Sequence, residues 1–185
     1  VVLRKNAGWI EENFRADTIQ PDGAQEFVIV GPTGKAIFAS REAGAPSPTL
    51  ARQLLAPAAR AMERARELYE TAHASRGGFS ERMPGAMVDG IYVSDVARID
   101  GHPAIITVAP FAPHDDVHRA PEAPTLLVGI QYLTPSVLEK LGSLSHIDGL
   151  ALLPQDPAST QAHAHPVVDG DGNVIAHLTW DVSAP

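Results

Sequence analysis

Asp89-Gly-Ile-Tyr-Val-Ser-Asp-Val-Ala-Arg-Ile-Asp-Gly-His-Pro-Ala-Ile-Ile-Thr-Val-Ala-Pro-Phe-Ala-Pro113, followed after a polar loop by Pro124-Thr-Leu-Leu-Val-Gly-Ile-Gln-Tyr-Leu133, is the stretch that decides the fold. It holds three β-rich runs. Asp100-Gly101 separates the first two, and Asp-Gly tolerates the positive φ angles of a tight hairpin turn. Ile91 and Val93, and less cleanly Val96 and Ile99, alternate with Tyr92, Ser94 and Arg98, as in a half-buried strand. Ile105-Ile106-Thr107-Val108 and Leu126-Leu127-Val128-Gly129-Ile130 are too apolar for that and read as central strands. The economical arrangement is a three-stranded antiparallel meander, which needs a helix to cover one face.

The chain supplies that helix earlier. From Thr49 to Ser75, Leu50, Leu54, Leu55, Ala58, Ala61, Met62, Ala65, Leu68 and Tyr69 make one apolar stripe, with arginines and glutamates on the other side. Ser47-Pro48 is a good start and Gly77-Gly78 a good stop. Pro57 lies inside and is expected to kink or break the helix near residue 56. Upstream, Phe27-Val-Ile-Val30 and Ala36-Ile-Phe-Ala39 flank Gly31-Pro-Thr-Gly34, a hairpin. Trp9, Ile10, Asn13 and Phe14 suggest a short helical segment within Val1 to Ala16. Downstream, Thr134-Pro135-Ser136 opens a second helix, Ile147 to Leu153 reads as a strand, and His165–Val168 with Asn173–Trp180 form a last hairpin through Asp169-Gly-Asp-Gly172.

Composition narrows the function. The 185 residues make one domain, 1–185, with 165–185 as its C-terminal hairpin. A net charge of -8 argues against nucleic acid, whose phosphates need clustered Lys and Arg. With no cysteine, thiolate catalysis, disulfides and cysteine-ligated zinc are excluded. No apolar run approaches the roughly 18 residues of a membrane span, and no signal peptide is present. The chain is therefore soluble, or a piece of a longer protein.

Few residues point to chemistry. His114, Asp115, Asp116 and His118 share a loop, and His163 and His165 form a His-x-His pair, which are weak metal candidates. A metal-dependent hydrolase built on these two clusters is the competing reading, but exposed polar loops explain them better. Gly31-x-x-Gly34 is followed by a strand, so no helix N-terminus stands ready for a phosphate. Asp169-Gly-Asp-Gly-Asn173 lacks the glycine and glutamate positions of a calcium loop and reads as a turn. There is no nucleophile elbow, Walker loop or dinucleotide fingerprint, so no catalytic residue and no cofactor is assigned. Tyr92, Ser94, Arg98, Thr107, Gln131 and Tyr132 are polar groups among apolar strand residues and the candidate ligand contacts, in a pocket between sheet and helix.

The ordered motifs resemble the fourth-type CHASE domain. Trp9-Ile-Glu-Glu-Asn-Phe14 resembles its aromatic-Ile-x-x-Asn segment, and Phe27 to Phe38 is similar to its first hairpin. Asp100-Gly-His-Pro to Ala-Pro-Phe-Ala-Pro113 is similar to its middle, Val128-Gly-Ile-Gln-Tyr-Leu133 to the strand before its leucine-rich helix, and Asp171-Gly-Asn to Trp180 to its end. The family usually opens with a long acidic and Trp-rich helix leaving the first membrane span, and this chain starts at what resembles the end of that region. The resemblance implies an α/β (α+β) fold, a PAS/Cache-like antiparallel sheet with a long helix on one face. It implies the periplasmic, extracytoplasmic input domain of a membrane-anchored bacterial inner-membrane signalling protein, acting as a homodimer by analogy with such sensors. Typical outputs are diguanylate cyclases, cyclic-di-GMP phosphodiesterases or histidine kinases, with an unknown small-molecule ligand. It carries no catalytic or binding residues.

Overall fold

The computed structural model describes residues 26–41, 48–74, 91–111, 123–154 and 163–181. The expected Val1–Ala16 helix, the Ser47 cap, the Gly77-Gly78 stop and the His114–His118 loop lie outside these residues.

Five antiparallel strands form the main sheet: β1 (Glu26–Val30), β2 (Ala36–Arg41), β3 (Val93–Ile99), β4 (His102–Phe111) and β5 (Thr125–Tyr132), in the order β2-β1-β5-β4-β3. The meander is present as read. Asp100 and Gly101 turn β3 into β4 with φ of 50° and 84°, the left-handed values that an Asp-Gly turn supplies at low cost. β1 and β2 form the expected hairpin, closed by Gly31 N donating to Lys35 O at 2.8 Å and by Gly34 at φ 79°. β1 then inserts beside β5, pairing Val28 with Val128.

Alternation fixes which side of the sheet is core. In β4 and β5, Ala104, Ile106, Val108, Leu126, Val128 and Ile130 are all fully buried, and in the ladder Ile106 faces Ile130 and Val108 faces Val128. Successive side chains in a strand point to opposite faces, so these residues share one face. Against it lies α1 (Pro48–Ala74), whose Leu50, Leu54, Ala58, Ala61, Met62 and Ala65 join the same core cluster. The run of alanines at 58, 61 and 65 leaves little side chain between helix axis and strands, so helix and sheet approach closely.

Pro57 does not break this helix, which is continuous from Pro48 to Ala74. A mid-helix proline removes one intrahelical hydrogen bond and crowds the preceding turn, at about 3 kcal/mol. Here Leu50, Ala51 and Leu54 are buried before it and Ala58, Ala61 and Met62 after it. Fully burying each large side chain contributes about 1.5–3 kcal/mol, so packing on both sides outweighs the local defect.

The last two turns of α1 bury Tyr69 and His73, with ring centroids 4.6 Å apart. Burial pushes the Tyr69 phenol up to about 12 from its ordinary 10.0, because a phenolate cannot be solvated there. A pKa raised in the folded state favours the protonated form. Tyr69 therefore contributes stability that is fully present below pH 10 and is lost as pH rises towards about 12. Phenolate absorbance followed against pH is expected to show one tyrosine titrating late, together with alkaline unfolding, and Tyr69→Phe should remove that late step; a normal titration of all three tyrosines would contradict it.

After β5, α2 (Pro135–Ser145) begins where the sequence says. Thr134 caps it by accepting from Val137 N at 3.4 Å, and Pro135 takes the first position. It ends at His146 in left-handed conformation, with Ile147 N donating to Gly142 O at 2.8 Å. A second sheet follows: β6 (Ala151–Leu153), β7 (Ala164–Val168) and β8 (Val174–Thr179), in the order β6-β8-β7. The strand expected from Ile147 is thus shorter. His146 at φ 55° and Gly149 at φ 65° turn the backbone first, and extended pairing begins only at Ala151.

The β7–β8 hairpin turns at 169–172, and Asp169 holds that turn together. Its Oδ1 accepts from Asp171 N at 3.0 Å and from Asn173 N at 2.8 Å. These bonds, led by that from the Asn173 backbone, hold its carboxyl below the usual carboxylate range. The Asp-Gly-Asp-Gly segment is accordingly a hairpin turn with its carboxylate turned onto its own backbone.

Candidate functional site

At the end of the main sheet where β1 and β4 start and β5 finishes, a cavity of about 560 Å³ opens. Two chain segments make most of its wall. One is the β3–β4 turn with the first residues of β4: Asp100, His102 and Pro103. The other is the link from β5 into α2: Tyr132, Leu133, Thr134 and Pro135. Glu26, the first residue of β1, completes it. The segments are tied together, since Leu133 N donates to Pro103 O at 2.9 Å.

The polar groups converge. Tyr132 Oη donates to Glu26 Oε2 at 3.1 Å. The His102 and Tyr132 rings meet edge to face with centroids 6.4 Å apart. Glu26 is 2 % exposed, a carboxylate at the head of an otherwise apolar strand. Pro103, Leu133 and Pro135 give the rest of the wall an apolar character. Among the described residues that line this cavity none is a lysine or arginine, so two carboxylates, an imidazole and a phenol set its chemistry. An apolar hollow with a few converging polar groups is the common form of a small-ligand site.

The residues singled out in the sequence fall in several places. Tyr132 is in the cavity wall. Ser94, Arg98, Thr107 and Gln131 have ladder partners Thr107, Pro103, Ser94 and Ile105; their parity puts them on the face of the sheet away from α1. There the Ser94 and Thr107 hydroxyls are 3.5 Å apart. Tyr92 precedes β3 and is 65 % exposed. Ser94 also borders a smaller groove of about 400 Å³ between β3 and α1, where Arg60 and Arg64 stand among Glu63, Glu67 and Asp95. The space between α1 and the sheet, where a pocket was expected, is occupied by the core side chains of the helix. His163 stacks obliquely near Trp180, with centroids 5.8 Å apart, and His165 is exposed. Among the described residues no group of three or more His, Asp or Glu side chains is placed to hold a metal ion.

Sequence reasoning missed Glu26, Asp100, His102 and Thr134. The available signals were a glutamate opening an otherwise apolar strand and the His-Pro pair directly after an Asp-Gly turn.

The fold is a mixed α/β domain, an antiparallel sheet with one long covering helix and a hollow at the sheet end. The CHASE4 domain family model matches residues 1–151, and the chain belongs to that family. CHASE4 is a sensory domain family of signalling proteins, and CHASE domains are in general extracytoplasmic sensors. Comparison with curated proteins gives no match. Among the described residues no helix is long and apolar enough to cross a membrane.

Proposed function

We propose that the chain is the extracytoplasmic, periplasmic input domain of a membrane-anchored bacterial signalling protein, with a diguanylate cyclase, cyclic-di-GMP phosphodiesterase or histidine kinase as output. In this reading it has no catalysis of its own. A small molecule enters the cavity between the 100–103 and 132–135 segments, and its occupancy changes the chain ends, which act in a homodimer. Family membership over 151 residues supports the sensory role, and the cavity carries the choice of site. The ligand can bias the two output states by no more than its difference in affinity between them. Of the residues read from the sequence, Tyr132 is the one proposed to touch the ligand. With carboxylates in the wall and no basic side chain among its described residues, a small amine suits the cavity better than a carboxylate, and the Tyr132 ring offers a face to a cation.

A thermal-shift screen of amines, amino acids, carboxylates and divalent metals tests this. A specific ligand at a hundredfold excess over its dissociation constant stabilises the folded state by about 2.7 kcal/mol. The expected result is a shift with an amine that Tyr132→Ala and His102→Ala each abolish. A shift that survives both variants would place the site elsewhere, and a shift with zinc alone that needs His163 and His165 would overturn the reading.

A further inference from the structure

Both segments that wall the cavity lead on to the C-terminal sheet, by separate routes. Along the second route Thr134 caps α2, the helix ends at His146, and Asp148 O just beyond accepts from Asp181 N at 2.9 Å. That bond pins the far end of β8. Along the first route Arg98 makes a connection by hydrogen bonds. Arg98, at the end of β3, donates from Nη1 to Gly101 O at 3.2 Å, within the turn that borders the cavity. Its Nη2 donates to Ile175 O, in the first half of β8.

We infer that Arg98 is the residue that couples the cavity to the C-terminal sheet, an inference resting on the reading of the cavity as the ligand site. A guanidinium is a planar fork with donors in fixed directions, so it holds two carbonyls at a set separation. Gly101 sits at φ 84°, in the two-residue turn that joins β3 to β4. When the 100–103 wall shifts, the Gly101 carbonyl carries the fork with it and the fork moves the Ile175 carbonyl. The Asp148–Asp181 bond keeps the other end of β8 in place, so β8 turns about that end rather than following as a whole. Lysine cannot replace this link, because one ammonium is a point donor without the fork's two fixed directions.

The hairpin has a second contact with the core that this coupling must work against. The 169–172 turn lies beside Asp95 and Arg60, and Arg60 Nη1 is 3.7 Å from Asp171 Oδ1. Both partners of that pair are more than half exposed, so it adds little restraint.

Amide hydrogen exchange on the whole 185-residue chain, without ligand, tests the inference. Arg98→Ala and Arg98→Lys should both speed exchange in β7 and β8, by about tenfold for the loss of a charge-assisted hydrogen bond, while the β4–β5 amides keep their protection and report an intact core. His102→Ala, which perturbs the cavity from inside, should change β8 exchange in the parent chain and leave it unchanged in the Arg98→Ala background. An equal His102→Ala effect in both backgrounds, no effect in the parent, or unaltered β8 exchange in Arg98→Ala would each overturn it. Since no ligand enters the measurement, the coupling stands or fails separately from the ligand screen.

Discussion

Ile106→Asp is expected to abolish cooperative folding, whereas Thr107→Asp, one residue along the same strand, should change stability by less than about 0.5 kcal/mol. Ile106 is fully buried in a central strand, facing Ile130 across the ladder and α1 above it. A carboxylate there must be desolvated with no cation to meet it, or take up a proton, and either course costs several kcal/mol. Whole domains are stable by only about 5–15 kcal/mol. Thr107 is exposed on the opposite face, and a charge there stays in water. Denaturant unfolding of the two variants reads the difference directly. Equal damage from both would mean that the sheet is covered alike on its two faces at this point, and the parity argument for the core would fail.

Leu54→Ala should cost about 2–5 kcal/mol, visible as a lower denaturant midpoint at an unchanged slope. Leu54 is fully buried one turn before Pro57. Its side chain supplies part of the burial that holds α1 onto the strands on the N-terminal side of the proline. The loss has two parts, the transfer of the missing carbons and the hollow left behind, and neighbouring alanines at 51 and 58 have nothing long enough to fill it. A cost below 1 kcal/mol would show that the helix N-terminal to Pro57 contributes little to the fold.

Pro57 also marks the limit of what was legible in the sequence. Local chemistry named the turn at Asp100-Gly101, the helix start at Thr134 and the three strands of the meander, and each is present; Val96, read with Val93 and Ile99, instead shares the face of Ser94 and Arg98, because Val96 pairs with Ile105. At Pro57 a kink or break was the local expectation, and the break does not occur, since the apolar stripe continues on both sides of it and α1 packs on β2, β3 and β4. At Ile147 the apolar run read as extended chain, but the positive φ of His146, which caps α2, and of Gly149 cannot be read from hydrophobicity.

The cavity was legible only in part, for a reason of register. Choosing polar residues among apolar ones found Ser94, Arg98, Thr107, Gln131 and Tyr132 by type. Which face each takes depends on pairing, and a shift of one residue exchanges the faces. Tyr132 reached the cavity because β5 ends there and the chain turns into α2. Glu26 arrives from a strand more than a hundred residues away, hydrogen-bonded to Tyr132 across 106 positions. No local pattern announces such a meeting.

That insertion of β1 beside β5 sets the order in which the chain can fold. The β3–β4–β5 meander closes through a two-residue turn and one longer loop, so its contacts form among near neighbours. The Val28–Val128 pairing closes a separation of 100 residues (128 − 28) and must await it, since distant pairings lose more chain entropy before they gain contacts. Until β1 arrives, β5 is an open edge carrying Leu126, Val128 and Ile130, with an unpaired row of backbone donors and acceptors. A second copy of the same chain, in the same interval, presents the identical β1 sequence. High concentration during refolding should therefore favour strand exchange between copies at this position, and dilution should favour the closed monomeric sheet.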